Sequence, residues 1–150
     1  MNALVKLLTT FTGRIPRRQW WIGFIITFVG SIAGTLLFNP DMLVSDEAVP
    51  PQWPDTFWQL AWLVPATAIT VKRFNDRDWP WWLGYAFAAF GAFLYVAPHF
   101  GLLIDPEAGG VGTATFWLLL VVILAVSIDN RFLRGTRGPN RYGPDPLAGA

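Results

Sequence analysis

The chain contains no cysteine and a single histidine, His99. Disulfide staples and thiolate chemistry are therefore excluded, and one imidazole cannot build a histidine metal site. No cofactor and no metal is called for. Charge is scarce too. Asp, Glu, Lys and Arg make up 14% of the 150 residues, against about 25% in a typical soluble domain. Also missing are a paired-carboxylate metal motif, a nucleophile elbow and a glycine-rich phosphate loop leading into a helix.

What is present is apolar. Hydrophobic residues reach 53%, mean hydropathy is +0.40, and there are nine Trp and twelve Phe. Four stretches, roughly 20–38, 57–71, 81–104 and 115–128, carry no Asp, Glu, Lys or Arg. Crossing a bilayer takes about 20 helical residues. The second stretch is short, but Trp53 before it and Lys72 and Arg73 after it extend it by interfacial anchoring and snorkelling. In lipid a backbone must satisfy its own hydrogen bonds, so these runs read as helices. Their apolar content is continuous rather than alternating, which argues against a barrel. The expected fold is an all-α membrane protein. It is a four-helix transmembrane bundle forming one integral membrane domain over residues 1–150.

Charge distribution sets the orientation. Lys6, Arg14, Arg17 and Arg18 precede the first run, Lys72, Arg73 and Arg77 follow the second, and Arg131, Arg134, Arg137 and Arg141 follow the fourth. With four crossings, all 11 bases fall on one side, with Asp76, Asp78, Asp129 and Asp145. The other side holds Asp41, Asp46, Glu47, Asp55, Asp105 and Glu107, and no base. The positive-inside rule puts both termini and the middle loop of this multi-pass chain in the cytoplasm. The first run is too long for a signal peptide and no small-residue cleavage site follows it, so it reads as an uncleaved span. Before it, Ala3, Leu4, Leu7, Leu8 and Phe11 share one helical face, which suits an N-terminal interfacial helix.

Helices in lipid associate where small residues let backbones approach. Gly30 and Gly34, and then Gly84, Ala88 and Ala92 beside Gly91, are expected to face neighbouring helices. Pro65 should kink the second span, with Thr67 and Thr70 helping to satisfy freed carbonyls.

Three polar clusters crowd the cytoplasmic edge: FTGRIPRRQWW, VKRFNDRDWPWW (read as the whole turn between spans two and three) and RGTRGPNRYGPDP. A basic edge attracts anionic headgroups at about 1 kcal/mol per base. That accounts for charge but not for the spacing of the turn-formers around Asn140, Arg141 and Tyr142. The spacing predicts an ordered cytoplasmic C-terminal tail folded back under the helices. Its arginines would pair with Asp76 or Asp78, and Tyr142 would pack against interfacial Trp.

The three clusters together resemble domain-of-unknown-function family 805, small inner-membrane proteins of bacteria. The matching residues are Gly13, Arg14, Arg17 and Trp21, then Lys72, Arg73 and Asp76 with Trp82 beyond. In the tail they are Gly135, Thr136, Gly138, Asn140, Arg141, Tyr142, Gly143, Asp145 and Pro146. Pro65 resembles a proline the family keeps upstream of its second motif. Where the family carries His and Leu, this chain has Asn75 and Phe74. The resemblance implies the fold and a place in the bacterial inner (plasma) membrane, not activity.

The leading functional expectation is a non-catalytic module. It would bind membrane lipids with anionic headgroups, or a protein partner or second copy, through the cytoplasmic Arg/Asn/Asp/Tyr face. Two alternatives stand beside it: a small transporter or channel subunit, and an interfacial enzyme on a phosphate-bearing lipid. The enzyme would use Asp76 or Asp78 as base or metal ligand, with Arg14, Arg17 and Arg141 holding phosphate bidentately. Nucleic acid is not expected as a partner, since the bases lie among prolines with no recognition helix.

Overall fold

The computed structural model describes residues 2–45, 49–102 and 110–148. The outer acids Asp46, Glu47, Asp105 and Glu107, and the end of the third expected span, lie outside the described residues. Helix α1 covers Ala3–Thr9, α2 Arg17–Phe38, α3 Asp41–Val44, α4 Trp53–Asp76, α5 Trp82–Val96 and α6 Gly110–Phe132. A short 3₁₀ turn, Ala97–Phe100, follows α5. No strand occurs among the described residues, so the all-helical expectation holds.

The ends of α2 and α4 follow local chemistry. Pro16 stands as N-cap before Arg17, and Asn39-Pro40 ends α2, because proline cannot continue it. Pro54 occupies the first turn of α4, where its missing N–H costs nothing. At 22 residues α2 is roughly 33 Å long, enough for a bilayer core of about 30 Å. Two helices among the described residues are long and apolar enough to cross a membrane. They are Arg17–Phe38, with mean hydropathy 2.0, and Trp82–Phe100, with 1.3. Only 22% and 11% of these stretches are buried, so both turn apolar surface outward, unlike the core helix of a soluble protein.

The second expected span, 57–71, is the middle of a longer helix. α4 runs 24 residues, passes through Pro65, and stays helical from Lys72 to Asp76. The polar cluster read as a turn is therefore mostly the last turn of α4, and only Arg77–Trp81 connects it to α5. Thr67 donates its hydroxyl to the Leu63 carbonyl two residues before Pro65, at 2.6 Å.

α4 is the central element, packed on α2, α5 and α1. The α2–α4 contact uses glycine as expected. A Cβ on Gly34 would lie 1.8 Å from the Trp58 ring, and one on Gly30 2.3 Å from Trp62. The Trp58 indole then donates to the Gly30 carbonyl at 2.8 Å. Gly84 of α5 meets Val71 of α4 in the same way. Leu7, Ile15, Trp20 and Ile69 form the buried cluster where α1 lies against α2 and α4.

Candidate functional site

The polar clusters meet at one end of the bundle, around Asp76. Its side chain is 4% exposed and takes one arginine on each oxygen: Arg14 Nε on Oδ1 at 3.1 Å, and Arg73 on Oδ2. Both guanidiniums are buried, at 1% and 0% exposure. Burial pushes the Asp76 carboxyl up from its ordinary value, and Arg73 and Arg14 pull against it. Two cations on one carboxylate leave a net positive charge. The negative C-terminal ends of α4 and α6, which face it, offset that charge.

Arg14 uses every donor it has. Nε and Nη2 hold Asp76; Nη2 also reaches the Thr136 carbonyl at 2.6 Å; Nη1 reaches those of Gly138 at 2.8 Å and Gly143 at 3.2 Å. A guanidinium has five N–H donors, so none remains for a phosphate. The geometry thus gives no support to phosphate capture by Arg14.

Four bases of this end, Arg17, Lys72, Arg73 and Arg77, act as helix caps. The last carbonyls of a helix have no partner within it. At the end of α6, Arg73 donates to Asn130 and Leu133, Arg17 to Phe132 at 2.8 Å, and Arg77 to Arg134. Arg77 also grips Asp129 with both branches, at 2.9 and 2.7 Å. Lys72 does the same for α1: its ammonium donates to the carbonyls of Lys6 and Leu7. Burial, with Lys6 nearby, lowers Lys72 to about 8.

Thr136, Asn140, Tyr142 and Asp145 of the tail motif each have an internal partner. Gly135 lies against the Asp76 carboxylate. Thr136 donates N–H and hydroxyl to the Asp76 carbonyl at 2.8 and 3.1 Å. Asn140 donates to the Asn75 carbonyl and Thr136 Oγ1, both at 2.9 Å, and accepts from the Tyr142 N–H. Gly143, with φ of +132°, closes the turn by exchanging backbone bonds with Asn140 at 3.0 Å. The Asp145 carboxylate accepts the N–H groups of Leu147 and Gly138, which hold its pKa below the usual carboxylate range. Tyr142 donates to the Trp79 carbonyl at 2.6 Å.

The same motifs decide the relationship to known proteins. The profile of the family described as protein of unknown function (DUF805) matches residues 8–144. The chain belongs to the DUF805 family. It is 32% identical over 138 residues to the uncharacterized protein YiiR of Escherichia coli strain K12, covering 92% of this chain and 86% of that one. It is 25% identical over 148 residues to inner membrane protein YhaI of the same strain, covering 99% and 95%. To inner membrane protein YhaH it is 24% identical over 144 residues, covering 95% and 92%. No solved structure matches it.

The DUF805 motif residues converge, with exceptions. Gly13, at φ +86°, accepts from the Asn75 amide at 3.0 Å, so Asn75 stands as a donor where the family's His would. Trp21 packs on Trp20, Phe24 and Phe132. Trp82 stays exposed and takes no part. Arg141 pairs with Asp78 at 3.0 Å, but at 55% and 43% exposure that pair is a solvated rim contact. The tail arginines were expected to pair with Asp76 or Asp78; Arg141 takes Asp78, but no tail arginine reaches Asp76. Instead the tail's backbone and hydroxyl groups do so, through Arg14 and Thr136.

A second polar group was not legible as one. Asp55, expected in an outer loop, sits buried in the first turn of α4. It accepts from Thr35 at 3.2 Å and Gln59 at 3.1 Å, and Gln59 also donates to Thr35 at 2.8 Å and the Ser31 carbonyl at 3.2 Å. The only available signal was the four-residue step from Asp55 to Gln59, matched by the same step from Ser31 to Thr35.

Proposed function

We propose that this DUF805 chain is a non-catalytic inner-membrane protein with four crossings, both termini in the cytoplasm, and a basic rim that binds anionic lipid headgroups. The two apolar helices and the names of the YhaI and YhaH relatives support the membrane location. The segregation of all 11 bases supports four crossings and the orientation.

One observation carries the lipid reading. The buried arginines are fully engaged by the protein itself, while Lys6, Arg18, Arg134 and Arg137 stay exposed with no ion pair among the described residues. All four lie in the segments that build or adjoin the Arg14–Asp76–Arg73 cluster, the clamp that ties the tail to the helices. Lys6 also lines a cavity of about 600 Å³ that opens between α1 and α2, with Lys72, Leu4, Gln19 and Ile22 in its wall, charged and apolar at once. Such a rim suits a headgroup layer. The test is mass spectrometry of lipid co-purified in mild detergent. Wild type should be enriched in anionic over zwitterionic lipid, and a variant with all four rim bases changed to Gln should not. Identical lipid profiles would refute the reading. A reporter fused at the C-terminus tests the orientation, and an external signal would overturn it.

The buried Asp55–Gln59–Thr35–Ser31 group favours a second reading, a transporter or channel subunit, because polar groups between membrane helices often mark pathways. Solute flux in proteoliposomes tests it, with Gln59→Leu and Pro65→Ala as controls. No flux above empty vesicles removes it.

A further inference from the structure

Arg131 is the base that neither clamp nor rim explains. It is half-buried near the end of α6, and no carboxylate lies within 4.0 Å of it among the described residues. Its guanidinium rests over the rings of Trp20 and Phe24, 5.2 and 5.4 Å from their centroids. Burial alone lowers it from its ordinary value; no nearby anion pulls it back.

Arg131 lines two cavities, of about 130 and about 230 Å³. Both are also walled by Trp20, Leu63, Ala66 and Thr70, so they adjoin as neighbouring parts of a cleft region among α2, α4, α5 and α6. At the Arg131 end two buried polar atoms lack any hydrogen-bond partner: Trp20 Nε1 and Asn130 Oδ1. An unpartnered buried polar atom costs roughly 1–3 kcal/mol, so two in one place beside a desolvated cation favour a polar, anionic ligand there. Away from that end Phe24, Phe28, Trp62, Leu63 and Ile69 supply apolar wall, with Thr27 among them and Ser31, Gln59 and Tyr95 closing the far end. From Trp20 to Ser31 the cleft follows α2 for roughly 16 Å, room for much of an acyl chain.

We infer that this cleft binds one anionic phospholipid, with its phosphate on Arg131 and one acyl chain lying along the groove that α2 and α4 line. The Trp20 indole N–H supplies a second donor to the headgroup, and Asn130 Oδ1 accepts a headgroup hydroxyl. The phosphate then supplies the counter-charge that the protein withholds from Arg131. The inference rests on the membrane-spanning reading but not on the exposed rim, which binds through different residues.

The probe is phosphatidylglycerol, titrated onto the purified full chain in mild detergent and counted by native mass spectrometry. The count is taken at low salt and at about 1 M NaCl, where the Debye length is about 3 Å and rim contacts are screened. One lipid should survive high salt in wild type and in the rim variant. Arg131→Gln should lower that occupancy about tenfold or more, the loss expected for one charge-assisted hydrogen bond. Ala66→Phe fills the cleft and keeps every charge, so it should do the same, and it carries the test alone should Arg131→Gln fail to fold. Phosphatidylcholine should compete poorly. Wild-type retention by both variants would overturn the inference, as would loss of the salt-resistant lipid in the rim variant alone. Failure of the rim variant to lose its low-salt lipid would count against the rim reading and leave the cleft standing.

Discussion

A Cβ on Gly135 would fall 1.9 Å from a carboxylate oxygen of Asp76. Here the tail backbone reaches a buried charge more closely than any side chain allows. Thr136 is held to the Asp76 carbonyl and Arg14 spans both, so the absent side chain sets how tightly the tail closes on the bundle.

Gly135→Ala should therefore push the tail off the clamp and destabilise the protein by about 2 kcal/mol or more. Gly91→Ala is the control: its Cβ would meet only a Leu63 methyl at 3.4 Å. Thermal unfolding in detergent should separate the two. Equal melting temperatures would show that the tail docks loosely.

Asp76→Asn should leave two buried guanidiniums without a counter-charge. Breaking a buried pair costs about 3–5 kcal/mol. Arg141→Ala removes only the exposed pair with Asp78, for about 1 kcal/mol or less. The expected ranking by unfolding midpoint is Asp76→Asn far below Arg141→Ala, with Lys6→Ala near wild type.

Lys72 gives a pH signature. Its folded value is about 8, below the ordinary 10.5, so between these values the unfolded chain holds a proton that the folded protein releases. Stability should therefore rise with pH across that window, and the charged ammonium should cost stability below it. Lys72→Met should flatten this rise. It should also loosen α1, whose last carbonyls lose their cap, seen as faster amide exchange over residues 3–9. A melting profile in the variant as steep as in wild type would refute the assignment.

Gly34→Val should separate α2 from α4. Trp58 fills the space above Gly34 and donates to the Gly30 carbonyl, so the added methyls displace the ring and break that bond. A loss of about 1–3 kcal/mol is expected from overpacking. Trp58→Phe in the same background should recover part of it, while Trp58→Phe alone should be mildly destabilising.

Much of this arrangement was legible. The apolar runs located the long helices, and the spacing of Gly30, Gly34 and Gly84 announced the faces by which they meet. The turn-formers between Gly135 and Pro146 announced an ordered tail. The extent of α4 was hidden, because charges at the end of an apolar run look like the start of a loop. Lys72, Arg73 and Asp76 are helical and buried, since each has a partner on another element. Asp55 was misplaced for the same reason: its partners Thr35 and Gln59 lie on a face visible only once α2 and α4 are packed.

From the amino-acid order alone follow the helical class, the gathering of all bases beside three segments, and the membership that those segments carry. Hydropathy and local turn chemistry are properties of consecutive residues, so a linear reading recovers them. Which arginine takes which acceptor was decided only in three dimensions. Arg14 and Arg73, not the tail arginines, share Asp76, and Arg131 is left facing a cleft. That choice depends on where the open carbonyls of α1 and α6 and the tail come to lie, and only packing brings those acceptors within hydrogen-bonding distance.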